Sequence, residues 1–264
     1  MQLEVIYRQP EGDAKPTPLL FVHGAWHGAW CWDEHFLPYF AAHGYHSYAH
    51  SLRGHGGSEG QVRGARLGDY IADTVLVMTQ VAQEHGHAPV LIGHSMGGLI
   101  VQKVLEVLAA PTAVLLAAVP PHGVINVVWR VLLRYPGPFL QTNLKTSLYP
   151  LIATPEQAGW LFFERDLPEA QLKAYYERLG DESYLAFLGM LIFSLPRPAR
   201  VHTPLLVLGG EADNIFLPRE IEKTGHAYNV KAELFPGVAH DMMLGVRWMP
   251  VADRILTWLD ERGL

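Results

Sequence analysis

Short aliphatic runs alternate with helix-like segments along most of this 264-residue chain. Such runs are typical of strands that are covered on both faces, and their alternation with helices favours a mostly parallel central sheet flanked by helices. The segment Asp69–Glu84 shows the helical pattern, because its apolar residues recur three and four positions apart. We therefore expect an α/β fold. The predicted strands are Leu19–Val22, Tyr45–His50, Val90–Ile92, Ala113–Ala117, Leu205–Leu208 and Ala232–Phe235.

One stretch of the chain interrupts this alternation. Residues 122–200 contain no clear strand, and their aromatic, helix-compatible pieces are separated by prolines. We interpret this stretch as a helical insertion into a core formed by residues 1–121 and 201–264. A chain of this length can bury such a core without a disulfide or a structural metal. The sequence therefore predicts one α/β core that carries a helical subdomain.

Charge, cysteine content and hydropathy exclude several classes of protein. Twenty basic against 26 acidic residues give a net charge of −6, which argues against nucleic acid and anionic membranes as partners. The single cysteine, Cys31, excludes a disulfide framework and a multi-cysteine metal site. No apolar run reaches the roughly 18 residues of a membrane span, and no signal peptide is visible. We expect a cytoplasmic protein without integral membrane association, and we leave a homodimer open.

The run Gly93–Gly98, which contains the pattern G-x-S-x-G, is the strongest chemical signal in the sequence. It directly follows the predicted strand Val90–Ile92 and precedes the helical run Leu99–Leu108, which is the strand–turn–helix setting of a nucleophilic serine. In that setting the serine hydroxyl is exposed on a strained turn. We predict that Ser95 is a nucleophile. The alternative is a glycine-rich loop that only caps a helix.

A nucleophilic serine needs a histidine base, and the base needs a carboxylate to orient it. Because the chain has 14 histidines, position along the chain has to decide which one serves. His240 follows the last predicted strand, and Asp213 follows the strand before it, so both lie just beyond carboxyl ends of strands. We predict the triad of Ser95, Asp213 and His240. Glu211 and Asp241 are the alternative acids.

Acyl transfer also needs two N–H groups that stabilise the oxyanion of the tetrahedral intermediate. One should come from Met96, the residue after the nucleophile. The other should come from the loop that follows the first predicted strand, and we assign it to Ala25. His23 and His27 in this loop are four residues apart, but their loop position does not favour a metal site. We predict no metal and no organic cofactor.

These motifs resemble the α/β-hydrolase superfamily, and the resemblance covers nearly the whole chain. It rests on the His23–Gly28 loop, the Arg53–Ser58 turn, the Gly93–Gly98 run and the loops that hold Asp213 and His240. The resemblance implies the α/β-hydrolase fold. It also implies that residues 122–200 form a helical cap over the active site, inserted after the sixth core strand.

Within that superfamily, the run His23–Trp32 is similar to the plant methylesterase and hydroxynitrile lyase branch. The lyases would have a threonine and a lysine at the positions of Gly24 and Asp241, so the esterase side is favoured. A dehalogenase would carry an acid in place of Ser95 and is excluded. Lysophospholipase, monoacylglycerol lipase, carbon–carbon bond hydrolase and perhydrolase chemistry use the same triad and stay open. A ligand receptor with a vestigial triad is the alternative from a different class.

The expected activity is two-step hydrolysis of a small-molecule carboxylic ester through an acyl-enzyme intermediate. The aromatic and aliphatic composition of the insertion predicts a largely apolar pocket, which favours apolar esters over charged ones. Most of these aromatic residues could equally pack the insertion against the core. The residues that we expect to contact substrate are Trp26, His94, Trp129, Trp160 and Phe163.

Overall fold

Seven strands form one sheet at the centre of the computed structural model, which describes residues 1–264. In chain order they are β1 (Val5–Arg8), β2 (Leu19–Val22), β3 (Ser47–His50), β4 (Val90–His94), β5 (Ala113–Leu116), β6 (Leu205–Gly210) and β7 (Ala232–Phe235). The order across the sheet is β1-β3-β2-β4-β5-β6-β7. The strand β1 is antiparallel to β3, and every other neighbouring pair is parallel. The expectation of a mostly parallel sheet is confirmed.

Eleven α-helices accompany the sheet. None of them is long and apolar enough to cross a membrane. The helices are α1 (Trp30–Asp33), α2 (Phe36–Ala42), α3 (Leu67–His85), α4 (Met96–Val104), α5 (Ile125–Arg134), α6 (Pro136–Lys145), α7 (Pro155–Phe162), α8 (Glu169–Tyr176), α9 (Tyr184–Leu188), α10 (Pro218–Ala227) and α11 (Trp248–Asp260).

The six predicted strands are all present, with small shifts at some ends, and the strand that the sequence did not reveal is β1. Three of its four residues are exposed, because β1 is an edge strand and pairs only with β3. It therefore lacks the continuous apolar run that marked the other strands. In β2, for example, all four residues are buried. The helix expected over Leu99–Leu108 begins earlier, at Met96, because the turn at Ser95 leads directly into α4.

Residues 122–200 contain helices α5 to α9, one π-helical turn and two short 3₁₀ turns, and no strand of the sheet. The resemblance placed this segment after a sixth core strand. In this chain it follows the fifth, β5, because only β1 precedes β2 in the sequence. We call residues 122–200 the helical insertion. Its two ends return to β5 and β6, which are neighbours in the sheet.

The parallel strands place the loops with the chemically interesting residues at one edge of the sheet. The strand β4 ends at His94, β6 ends at Gly210 and β7 ends at Phe235. Because these strands run in the same direction, the loops that follow them meet at their shared carboxyl edge, which is where open α/β sheets bind ligands.

Candidate active site

Ser95 occupies the turn between β4 and α4 in a strained backbone conformation, with φ of 52° and ψ of −117°. A non-glycine residue in such a region costs about 1–3 kcal/mol and persists only where the surroundings impose it. Here the backbone of Ser95 is held by hydrogen bonds on both of its sides. Its N–H donates to the carbonyl of Leu116 at 3.0 Å, and its carbonyl accepts from Val119 at 3.0 Å. The turn is therefore fixed by the end of β5 and the loop after it.

Two glycines of the G-x-S-x-G run are required by close packing around this turn. A Cβ on Gly97 would collide with the carbonyl of Val22 at the end of β2. A Cβ on Gly93 would lie 2.6 Å from the carbonyl oxygen of Gly97. A larger residue at Gly97 would push α4 away from β2, and one at Gly93 would push α4 away from β4, so both glycines are needed to hold Ser95 at the helix start.

His240 and Asp213 form a buried hydrogen-bonded pair. The Nδ1 atom of His240 lies 2.8 Å from Oδ2 of Asp213. The other carboxylate oxygen of Asp213 accepts the backbone N–H groups of Ile215 at 2.6 Å and Phe216 at 3.0 Å. Because a carboxylate only accepts, Nδ1 of His240 carries the hydrogen, and a neutral ring then has its basic lone pair on Nε2.

Burial and charge act in opposite directions on His240. Burial disfavours its protonated form, but the charge and the hydrogen bond of Asp213, together with the charge of Asp241, outweigh burial, so the pKa of His240 is raised above its ordinary value. Neither alternative acid pairs with this ring. Glu211 is exposed, and Asp241 is hydrogen-bonded to His27.

The link between Ser95 and His240 passes through the residue before the serine. Nε2 of His94 donates to the backbone carbonyl of His240 at 3.0 Å, and the two rings lie 4.7 Å apart. The hydroxyl of Ser95 and the ring of His240 form no hydrogen bond with each other in this structure. Catalytic hydrogen bonds often tighten only when substrate is bound. Phe216 lines the same cavity as Ser95 and lies 5.5 Å from the His240 ring.

A second buried pair lies beside the first. Nε2 of His27 is 2.9 Å from Oδ2 of Asp241, and Nδ1 of His27 is 2.7 Å from the carbonyl oxygen of Ala25. Both partners only accept hydrogen bonds, so the doubly protonated ring satisfies both contacts. Burial raises the pKa of Asp241, but the charge of His27 and its hydrogen bond outweigh burial and lower it. The second carboxylate oxygen lies 3.7 Å from Nε2 of His94.

A metal ion does not fit these residues well. His94, His240 and Asp241 have possible ligand atoms within 4.8 Å of one another. However, Asp241 is already paired with His27, and Nε2 of His94 is bonded to a carbonyl oxygen. The remaining Nδ1 of His94 is covered by Gly24, where an added Cβ would lie 2.9 Å away.

Ser95 opens into an apolar cavity with about 750 Å³ of space between its walls and at its mouth. Sixteen of its 19 lining residues are hydrophobic, and none is charged. Ala25 and Met96 line it as well, and the backbone N–H of neither donates to another group of the protein. Two unpaired N–H groups beside a serine hydroxyl are what an oxyanion site requires. The helical insertion contributes Val124, Val127, Val128, Val131, Phe139, Thr142, Asn143, Leu148, Leu151, Leu161, Phe187 and Met190.

Of the five residues expected to contact substrate, only Trp26 lines this cavity. It has φ of 65°, and its carbonyl accepts the N–H of Gly180 from the helical insertion at 2.9 Å. The expectation is wrong for Trp129, which is 58% exposed because it lies on the outer face of α5. Trp160 packs against Tyr135 instead.

The other two residues are buried behind the wall of the cavity. Phe163 packs against Tyr175, with the ring centroids 5.6 Å apart, and His94 lies beneath the turn at Ser95. Four valines in and just before α5 line the cavity but were not among the predicted contacts, although Val124, Val127, Val128 and Val131 recur three and four positions apart. This spacing is the signal of one helical face and could have identified them.

Comparison with known proteins identifies a family for most of the chain. The sequence pattern described as the alpha/beta hydrolase family matches residues 19–254. A non-heme chloroperoxidase of Streptomyces lividans is 37% identical over 119 residues, which are 44% of this chain and 42% of that enzyme. The match thus spans less than half the length of this curated relative.

Solved structures resemble the fold over nearly the whole chain. A monoacylglycerol lipase of Paleococcus ferrophilus has a TM-score of 0.72 at 22% identity and covers 99% of this chain and 100% of its own. An esterase of Exiguobacterium antarcticum has a TM-score of 0.77 at 16% identity, with 98% and 95% covered. A bromoperoxidase of Bacillus anthracis has a TM-score of 0.72 at 18% identity, with 98% and 96% covered.

At such identities the solved structures establish the fold alone, and the expected α/β-hydrolase fold is confirmed. The family pattern spans most of the chain, from the start of β2 into α11. This chain belongs to the alpha/beta hydrolase family.

Proposed function

We propose that the protein hydrolyses uncharged carboxylic esters through an acyl-enzyme intermediate. The observation that carries this proposal is that Ser95 opens into an apolar cavity beside the two unpaired N–H groups of Ala25 and Met96. The His240–Asp213 pair supplies the base. A cavity without a charged lining residue favours an uncharged substrate, because a buried charge would have no partner there.

In the proposed first step, the hydroxyl oxygen of Ser95 attacks the ester carbonyl while Nε2 of His240 takes its proton. The N–H groups of Ala25 and Met96 bind the oxyanion. His240 then gives the proton to the leaving alcohol, and the ester bond breaks. In the second step His240 activates a water molecule, which releases the acid and restores Ser95. Asp213 keeps the hydrogen on Nδ1 and stabilises the imidazolium that forms in both steps.

The helical insertion acts as the cap of this site in our proposal, with the core formed by residues 1–121 and 201–264. Twelve of the 19 lining residues belong to it, so it makes most of the cavity wall. Without it, Ser95 would face water, and the oxyanion contacts would be weakened by the higher dielectric constant. The insertion therefore supplies both the apolar surface for the substrate and the exclusion of solvent.

The direct test compares wild-type protein with Ser95→Ala on p-nitrophenyl butyrate. We expect Ser95→Ala to lose at least about 10³-fold in kcat while keeping its thermal stability. Ser194→Ala is the matched control, because Ser194 is a half-buried serine in the helical insertion outside the cavity. A fluorophosphonate should label wild type and Ser194→Ala only. Full activity of Ser95→Ala would disprove the mechanism.

A second candidate, hydrolysis of lipid esters at a water–lipid surface, is favoured by the outer faces of α5 and α6. Leu133 is 81% exposed, Leu144 is 76% exposed and Trp129 is 58% exposed. The inner faces of these helices line the cavity, so a docked lipid surface would lie next to the site. Apolar surface of this kind often marks membrane interaction.

This candidate predicts a difference between dispersed and dissolved substrates. The double variant Leu133→Ser/Leu144→Ser should lose about tenfold activity on emulsified monoacylglycerol and little on p-nitrophenyl butyrate, since each exposed leucine contributes to lipid contact. Val107→Ser is the control, because Val107 is 72% exposed but lies outside the helical insertion. Equal losses on both substrates, or in the control, would count against lipid docking.

A further inference from the structure

The cavity beside Ser95 contains one buried hydroxyl that the proposed reaction does not use. Thr142 of α6 is 2% exposed and lines the cavity, and its Oγ1 has no hydrogen-bond partner. The only other polar side chain contributed by the helical insertion, Asn143, is satisfied. Its Nδ2 donates to the carbonyl of Phe139 at 2.8 Å, and its Oδ1 accepts from Tyr184 at 2.8 Å.

The free hydroxyl of Thr142 is unusual within this molecule. Five threonines lie inside helices, and the other four each donate their hydroxyl to the carbonyl oxygen four residues earlier. These bonds join Thr74 to Tyr70, Thr79 to Val75, Thr224 to Glu220 and Thr257 to Asp253, at 2.7 to 3.1 Å. A helical threonine normally has this internal partner available. Thr142 leaves it unused and lines the substrate cavity.

A second unpartnered donor lies in the same wall. Nε1 of Trp26 is buried and has no hydrogen-bond partner, and the residue lines the cavity next to Ala25. An indole N–H can only donate, and a hydroxyl can donate or accept. A ligand oxygen that accepts hydrogen bonds would satisfy either group, whereas a purely aliphatic chain would leave both unpaired in an apolar surrounding.

We infer that Thr142, with Trp26 as a second donor, forms a subsite for an uncharged oxygen acceptor in the substrate, separate from the ester group at Ser95. The substrate class is then an ester whose otherwise apolar part carries a further oxygen, either a carbonyl oxygen such as that of a ketone or an ether oxygen. This inference rests on the proposed function and narrows it. A site that is built to hydrogen-bond a substrate group discriminates strongly against analogues that lack the group.

The first experiment uses p-nitrophenyl heptanoate and its 4-oxo, 5-oxo and 6-oxo analogues. In wild type, kcat/KM for one of the oxo esters should exceed that for heptanoate about tenfold, the range of one added hydrogen bond. The ratio of the two values is the readout, because it cancels changes in overall activity. The absence of a preference at every position would overturn the inference.

Two variants assign the preference to the hydroxyl. Thr142→Val has nearly the same shape without the hydroxyl, so the ratio should fall to within about twofold of one. Thr142→Ser keeps the hydroxyl and should keep the ratio. Thr142→Ala replaces Thr142→Val if the valine variant does not fold. A ratio that survives loss of the hydroxyl would place the preference elsewhere and overturn the assignment.

A binding measurement separates this inference from the proposed function. The affinity of 4-heptanone for the Ser95→Ala protein, measured by calorimetry, should weaken about tenfold when Thr142→Val is added. If no ester is hydrolysed but this loss is seen, the proposed function fails and the subsite stands. If esters are hydrolysed but ketone binding does not respond to Thr142→Val, the subsite fails and the proposed function stands.

Discussion

Two buried histidine–aspartate pairs lie side by side in this protein, and their hydrogen bonding gives them different capacities. The His240–Asp213 and His27–Asp241 pairs have nearly the same length, 2.8 Å and 2.9 Å. His27 uses its second nitrogen for the carbonyl of Ala25, so neither nitrogen is available. His240 forms no hydrogen bond through Nε2. Of the two pairs, only His240–Asp213 leaves a ring nitrogen free to take up a proton.

The difference shows that a buried histidine–aspartate pair alone does not identify a base. The His27–Asp241 pair joins the loop of Ala25 to the loop after β7, and both ring nitrogens of His27 are used in doing so. The His240–Asp213 pair has the same components but an open end. The two pairs differ in whether the second ring nitrogen of the histidine already has a hydrogen-bond partner.

The largest expected effect separates the pairs by activity. Asp213→Asn should lower kcat for p-nitrophenyl butyrate about 10⁴-fold, because the ring would no longer be held with its hydrogen on Nδ1. Asp241→Asn is the matched variant and should lower kcat less than about tenfold, since Asp241 is hydrogen-bonded to His27 and not to the His240 ring. Steady-state kinetics on both purified variants gives the comparison. The reverse order of effects would make Asp241 the orienting acid.

The free energy of unfolding should show the opposite order for Asp213→Asn and a second variant at the other aspartate, Asp241→Ala. Asp241→Ala leaves the His27 ring buried without its carboxylate, and removing one partner of a buried ion pair costs about 3–5 kcal/mol in the free energy of unfolding. Asp213→Asn should cost less, because a neutral His240 needs no counter-charge. Urea unfolding monitored by circular dichroism measures both. Equal stability of Asp241→Ala and wild type would show that the His27–Asp241 pair does not act as an ion pair.

The smallest expected effect is a shift in the pH profile. His240 must be neutral to act as base, and its pKa is raised, so kcat/KM should fall as the pH drops through a value above the ordinary ~6.5 of histidine. The negative charge of Asp241 helps to raise this pKa, so Asp241→Asn should move the acid limb to lower pH. Glu211→Gln is the control and should leave the limb in place. A limb that does not move in Asp241→Asn would contradict this electrostatic link.

The sequence predicted best those residues whose burial in the sheet or position after a strand limits what they can be. The strands that are buried on both faces stood out as aliphatic runs, whereas the exposed edge strand β1 did not. Ser95, Asp213 and His240 could be selected because their positions after strands limited the choice. The pairing of Asp241 with His27 could not be predicted, because the sequence does not show which of the 14 histidines lies next to Asp241 in the fold.

The helical insertion was the least predictable part. Its aromatic content correctly indicated an apolar environment, but composition does not tell which face of a helix an aromatic residue occupies. Trp129 lies on the outer surface, and Phe163 packs inside the insertion. Eight of the 19 residues that line the cavity are valines or leucines. The spacing of the valines in and before α5 was available in the sequence, but nothing in the sequence marks Thr142 as a lining residue.

The hydrogen bond from Gly180 to the carbonyl of Trp26 ties the insertion to the residue that follows Ala25. Any motion that lifts this part of the insertion has to break that bond, and it releases the loop that presents the amide of Ala25. Opening for substrate entry and alignment of this amide are therefore thermodynamically linked, each opposing the other. In the proposed reaction, a molecule in which this bond is broken would hold the oxyanion less firmly than one in which it is formed.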